Sequence, residues 1–98
     1  MTTKLVKLVK TDEEDKKKYI ATFSIGDKIK KVKFGAKGYE DYTTHKDKDR
    51  RELYRNRHKG DNLSDPTSPG ALSYYILWGD STSIRTNKEE YKRRFNLS

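Results

Sequence analysis

Tyr19-Ile-Ala-Thr-Phe-Ser-Ile-Gly-Asp-Lys-Ile-Lys-Lys-Val-Lys-Phe34 is the stretch that decides the fold. Gly26-Asp27 divides it into two runs and suits a two-residue hairpin turn, because glycine takes a positive φ without a Cβ clash. With Ile25 facing Lys28, Phe23 opposes Lys30, Ala21 opposes Val32, and Tyr19 opposes Phe34. Strand side chains alternate between faces, so Tyr19, Ala21, Phe23, Val32 and Phe34 share one face. Thr22, Ser24, Lys31 and Lys33 fall on the other. One side can pack and the other is polar and basic.

Upstream, Lys4 to Lys10 repeats Leu-Val-Lys, a period of three that fits neither a strand nor a helix. Its Val and Leu content favours a strand, at an edge where lysines discourage further pairing. Thr11 to Lys18 is charged throughout and reads as a solvated turn. Residues 1–35 are therefore expected to form a β-meander. Gly35-Ala-Lys-Gly38 reads as the connector that ends it. A phosphate-cradling P-loop would continue into Gly-Lys-Ser/Thr, whereas Gly38 is followed by Tyr39-Glu40-Asp41.

Residues 36–98 read as the helical part of the same single domain, 1–98. Asp47 is a good N-cap for a helix from about Lys48 to His58, with Gly60 as its stop. Leu53 and Tyr54 are its packing residues, with Arg50 and Arg57 beside them, while Arg51, Arg55 and Lys59 point elsewhere. Asp61 to Pro69 is a loop, and Ser68-Pro69 suits an N-cap and first helical residue. Ala71 to Trp78 is apolar almost all round and should be the buried helix, ended by Gly79. Thr86 and Glu89 form a capping-box pattern before a last helix, Asn87 to Phe95, with Tyr91 and Phe95 inward. Lys88, Lys92, Arg93 and Arg94 face outward. The expected fold is α+β: a three-stranded antiparallel sheet on three short helices. Leu53, Tyr54, Leu72, Tyr75, Ile76, Trp78, Tyr91 and Phe95 should meet Tyr19, Phe23, Val32 and Phe34.

The chain has 98 residues, 31% of them apolar and 39% charged, which allows one thin core and no second domain. Aromatics at 11% supply the burial that a disordered chain lacks. There is no cysteine, hence no disulfide framework and no thiolate metal site. The first ten residues lack the apolar run of a signal peptide, and no window approaches a membrane span. The expectation is a soluble chain, intracellular or carried inside a particle. A net charge of +8 favours polyanionic or acidic partners.

Catalytic chemistry finds little footing. His45, Asp47, Asp49 and His58 form no compact metal-ligand motif and read as capping and surface residues. Asp41, Asp47, Glu52 and His58 are acid–base groups that nothing singles out, and no serine sits in a nucleophile elbow. No enzyme, metal or cofactor is expected. Basic surfaces carry more. Lys28, Lys30, Lys31, Lys33 and Lys37 follow one another with no acid between them. Arg50, Arg51, Arg55 and Arg57 offer fork-shaped donors suited to phosphate oxygens. Tyr39, Tyr42 and Tyr54 interleave with them and could stack on bases. Equally, these tyrosines could pack on the sheet while the arginines pair with Asp47, Asp49 and Glu52.

From Val32 onward the sequence resembles a family of small basic proteins from large DNA viruses of algae and protists. The resemblance rests on Val32-Lys-Phe-Gly-Ala-Lys-Gly38, Asp41-Tyr-Thr-Thr-His-Lys-Asp47, Arg50, Tyr54 and Arg57-His58. It continues through Gly70-Ala-Leu-Ser73, Ile76-Leu-Trp78 and Tyr91-Lys-Arg-Arg-Phe-Asn-Leu97. It implies a viral source and a virion component, present in the host cytoplasm or nucleus during assembly. Two functional expectations follow. One is non-specific binding of nucleic acid, DNA before RNA, with Arg50, Arg51, Arg55, Arg57, Lys59, Lys31 and Lys33 as phosphate contacts. The other is a minor capsid or cement protein that docks between shell proteins. Oligomeric state stays open.

Overall fold

The computed structural model describes residues 3–60 and 63–97. Three antiparallel strands, β1 (Thr3–Lys10), β2 (Lys17–Ile25) and β3 (Lys28–Ala36), form one sheet in the order β1-β2-β3. Helices α1 (Tyr42–His45), α2 (Lys48–His58), α3 (Pro69–Leu72) and α4 (Ile84–Arg94) follow. A π-helical turn, Ser73–Leu77, continues α3. The architecture is α+β, as expected.

The hairpin has the expected register: Ile25 faces Lys28, Phe23 faces Lys30, Ala21 faces Val32 and Tyr19 faces Phe34. Gly26 turns it with φ 64°. Both strands run longer than expected, because Lys17 pairs with Ala36. The upstream turn shrinks accordingly, and Gly35 lies inside β3 rather than after it. Its φ is +77°, and a Cβ there would lie 2.7 Å from Leu77 Cδ1, so a side chain would collide with the π-turn.

β1 resolves the period of three. Leu5 pairs with Phe23 and Lys7 with Thr22, so Val6 is an extra residue in a β-bulge. The bulge shifts the alternation by one, and Leu5 and Leu8, three apart, both face the core. The repeat is thus a strand after all.

The core lies between one sheet face and the α3–π-turn–α4 layer. Leu5, Ala21, Phe23, Val32 and Phe34 meet Ala71, Leu72, Ile76, Leu77 and Tyr91. Each large side chain buried there contributes about 1.5–3 kcal/mol. Leu53 is a correction: it is 62% exposed and belongs to no core cluster. Tyr54 packs on Trp78 instead of on the sheet.

The helical part is built by caps. Ser68 accepts a hydrogen bond from Ala71 N–H with Pro69 as the first helical residue, as expected. Trp78 N–H donates to Ser73 C=O five residues back, at 3.0 Å, which widens the expected helix into a π-turn. Ser83, not Thr86, caps α4 and accepts from Thr86 N–H, so the helix starts a turn earlier than expected. That earlier start places Asn87 inside the helix, fully buried. Its side-chain amide donates to Ile76 C=O (2.8 Å) and Ser81 C=O (2.7 Å), and its Oδ1 accepts from Ser81 N–H (3.0 Å). One asparagine thereby ties α4, the π-turn and the 79–83 loop together.

Of the expected 61–69 loop, Asp61 and Asn62 lie outside the described residues. The rest is anchored. Asp65 accepts from Thr67 N–H (2.9 Å) and from the Thr67 hydroxyl (2.8 Å). The Tyr91 hydroxyl donates to Pro66 C=O at 2.7 Å. No helix among the described residues is long and apolar enough to cross a membrane.

Candidate nucleic-acid interface

The sheet has one face toward the core and one toward solvent, and register fixes the second residue by residue. Its cross-strand rows are Lys4-Ser24-Ile29, Lys7-Thr22-Lys31 and Val9-Ile20-Lys33. All four lysines are exposed. Neighbouring strands lie about 4.8 Å apart, so Lys7 and Lys31 leave the backbone roughly 10 Å from each other with only Thr22 between them. Lys33 differs from the rest, because its ammonium pairs with Asp15 at 2.6 Å. The hydrogen bond from Lys33, reinforced by one from Lys17 N–H, holds the Asp15 carboxyl below the usual carboxylate range. Lys31 and Lys33 were expected here. Lys4 and Lys7 were not, because only the bulge at Val6 turns Lys7 to this side.

The second basic element is α2. Asp47 caps it as expected, accepting from Asp49 N–H (2.9 Å) and Arg50 N–H (3.3 Å). Its last turn carries Arg55, Arg57 and His58, which suit the negative end of the helix dipole. Gly60 supplies no left-handed stop, since it has no positive φ and the C-cap is Lys59 at φ −63°.

The orientation of α2 reverses the expected one. Arg51 is only 13% exposed at its side chain. Its Nε donates to Gly79 C=O at 2.8 Å, and its guanidinium pairs with Asp80 and with Glu52 (3.1 Å). Arg55 shares Asp80 at 3.2 Å and lies over the Tyr74 ring at 4.9 Å. Both arginines fasten α2 to the 79–80 loop and are not placed to meet a phosphate. Tyr54 stacks between Trp78 (4.2 Å, 5°) and His58 (4.2 Å, 28°). The exposed residues of α2 are Lys48, Asp49, Arg50, Glu52, Leu53, Asn56 and Arg57, followed by its exposed C-cap Lys59.

Tyr42 is likewise not available for stacking. It is buried at the start of α1, a one-turn helix that was not expected. Asp41 caps that helix, accepts from Thr43 N–H (3.0 Å) and holds Lys18 Nζ at 2.7 Å. The Asp41 carboxylate is nearly fully buried, so this pair joins β2 firmly to α1. Tyr39, by contrast, is 75% exposed.

Between the end of β3 and α2 lies a cleft of about 440 Å³. Gly35, Leu77 and Trp78 line it, with Tyr39 and Leu53 as further walls. Arg50 and Arg57 are its cationic members, and the paired Lys18 and Asp41 also border it. Arg50 sits 3.6 Å from Glu40, a pair in which both side chains are at least half exposed and which is worth little. Arg57 has no ion pair among the described residues. The cleft can thus admit a flat, partly apolar group that carries an anionic end.

His45 is taken up by capping and packing contacts. His45 Nδ1 accepts from Asp47 N–H at 2.9 Å, which puts the neutral ring's proton on Nε2, a buried atom with no hydrogen-bond partner among the described residues. Its ring packs against Trp78 at 5.2 Å. Among the described residues, no three His, Asp or Glu side chains gather closely enough to hold a metal ion.

Residues 6–58 match the profile of a family of unknown function (DUF5754), and the chain belongs to that family. The matched span covers most of β1 and all of β2, β3, α1 and α2, and so holds the outer-face rows except Lys4 and every wall of the cleft except those from the π-turn and Trp78. No curated protein and no solved structure matches the chain.

Proposed function

We propose that this family member is a small, basic, virus-encoded and virion-associated protein that binds nucleic acid without reading its sequence. Binding runs through lysine and arginine contacts to phosphates, and DNA is the preferred partner over RNA. The observation that carries the reading is the Lys7-Thr22-Lys31 row on the open sheet face, flanked by Lys4. Lysines spaced across a twisted sheet can meet successive phosphates of a backbone, and phosphate contacts carry no sequence information, so affinity comes without specificity. The viral and virion part of the reading rests on the resemblance carried by Val32 to Leu97. The protein is a binding module on this reading, with no reaction assigned to it, and its place is the virion and, during assembly, the host cytoplasm or nucleus.

A gel-shift titration of mixed-sequence duplex DNA at two salt concentrations tests it. Expected are similar affinities for unrelated sequences and a steep loss as salt rises, near one log–log unit for each phosphate neutralised. Absence of binding at about 50 mM salt, the low end of the informative range, would end the reading.

A second reading, a minor capsid or cement protein, draws on one specific observation. Val9 (45% exposed) and Ile29 (62% exposed) lie among the outer-face lysines, with Val6 of the bulge nearby (55%). Fractionated particles separate the readings: the protein should follow the genome in the first and the shell in the second.

A further inference from the structure

The open face explains attraction to phosphate but leaves the cleft between β3 and α2 without a role. We infer that this cleft receives one unpaired nucleotide of a single strand, its base against Tyr39 and Leu53 and its phosphate at Arg57 and Arg50. The inference rests on the nucleic-acid reading above and adds a substrate class to it: strands with unstacked bases.

Three features point the same way. The cleft, about 440 Å³, falls within the roughly 300–1,000 Å³ of small-molecule sites. Its walls are an aromatic ring and a leucine that solvent reaches freely, Tyr39 at 75% and Leu53 at 62%. Exposed apolar side chains lining one cleft gain by covering a flat ring, and every base has a π-face to offer. Apart from Lys18, which Asp41 holds, its cations are forks rather than points. Arg57 carries no ion pair among the described residues, and Arg50 has only the loose contact with Glu40, which a phosphate can displace. Arg51 and Arg55 cannot compete for the phosphate, being held at Asp80.

Geometry also selects against a duplex. Paired bases are stacked inside a cylinder, and a recessed cleft reaches them only after extrusion, at a cost of unstacking. A single strand enters with its bases already free.

The test uses the full chain with a labelled oligodeoxythymidine, a matched mixed-sequence duplex, and thymidine monophosphate as competitor. Tyr39 is exposed, so Tyr39→Leu should fold as the parent does, which circular dichroism checks. Expected is a loss of about tenfold in oligothymidine affinity, the size of one lost base stack, with duplex affinity and salt slope unchanged. Arg57→Gln should lower the oligothymidine salt slope by about 0.7, one single-strand phosphate contact. Unchanged oligothymidine affinity in Tyr39→Leu, or an equal loss on duplex, overturns the inference while leaving the wider reading intact, provided the parent binds. Competition by the monophosphate at the oligomer's own nucleotide concentration assigns the cleft to free nucleotides and overturns the strand inference. A parent that binds neither polymer overturns both.

Discussion

Arg51 Nε donates a hydrogen bond to the carbonyl oxygen of Gly79 at 2.8 Å, so the basic helix α2 is mounted by one of its own arginines. Arg51 is therefore a fastening residue. Arg51→Ala should cost about 1–3 kcal/mol of stability, since it strips a partly buried carbonyl of its donor and leaves Asp80 to Arg55 alone. The same variant, at a temperature where it is folded, should keep the parent's salt slope for DNA. Urea denaturation and a paired binding titration check both halves.

Asn87→Ala should be among the most damaging single changes. It removes three hydrogen bonds and leaves the Ile76 and Ser81 groups without partners. The expected loss is on the order of 3 kcal/mol, a large share of a domain's roughly 5–15. Denaturant unfolding measures it, and a loss under about 1 kcal/mol, no more than a single ordinary hydrogen bond, would show that the loop closes without this residue.

Gly79 and Gly60 form a controlled pair. A Cβ at Gly79 would lie 2.2 Å from the Tyr75 carbonyl oxygen and 2.9 Å from Asn87 Cγ, whereas a Cβ at Gly60 meets open space. Gly79→Ala should lose on the order of 3 kcal/mol through overpacking, lowering Tm by more than about 10 °C. Gly60→Ala should be neutral or slightly stabilising, through reduced freedom of the unfolded chain. Thermal melts of the two variants check the contrast.

The pH dependence has two limbs with opposite signs. Burial raises the Tyr91 phenol well above its ordinary value, with Asp65 and Tyr75 adding to the effect. A raised folded pKa means that its stabilisation is complete below the unfolded value near 10 and declines as pH rises beyond it. Hydrogen bonds from Thr67 lower the Asp65 carboxyl, so its contribution is present above the unfolded value near 4 and is lost as pH falls. Asp15, lowered by Lys33, acts in the same direction. Stability measured by urea titration from acid to alkali should form a plateau with two falling edges. Tyr91→Phe should soften the alkaline edge and leave the acid one.

The hairpin was legible because its alternation, its Gly26 turn and its single apolar face agree at every position. β1 was half legible. Its composition called for a strand, but its period of three needed a bulge, and nothing local to Val6 announces one. α1 is a single turn held by Asp41 and Thr44, too short for any periodicity. The site divides in the same way. Arginines at 50, 51, 55 and 57 spread around α2, so the helix carries no amphipathic stripe to choose its inner face. The choice falls to Trp78 and Asp80, distant in sequence, which take Tyr54, Arg51 and Arg55 and leave Leu53 in solvent. Lys59 was legible as an available cation, whereas Arg50 and Arg57 were expected beside the packing residues and lie exposed instead; Tyr39 was named among the interleaved tyrosines, but its exposure required the fold.

The most direct test of phosphate binding by the open sheet face is the salt slope of Lys7→Gln/Lys31→Gln. Both residues are exposed, so the double variant should keep the parent's stability. Two lost duplex phosphate contacts should lower the slope of log affinity against log salt by about 1.8, equally for unrelated DNA sequences. A slope equal to the parent's would contradict the account.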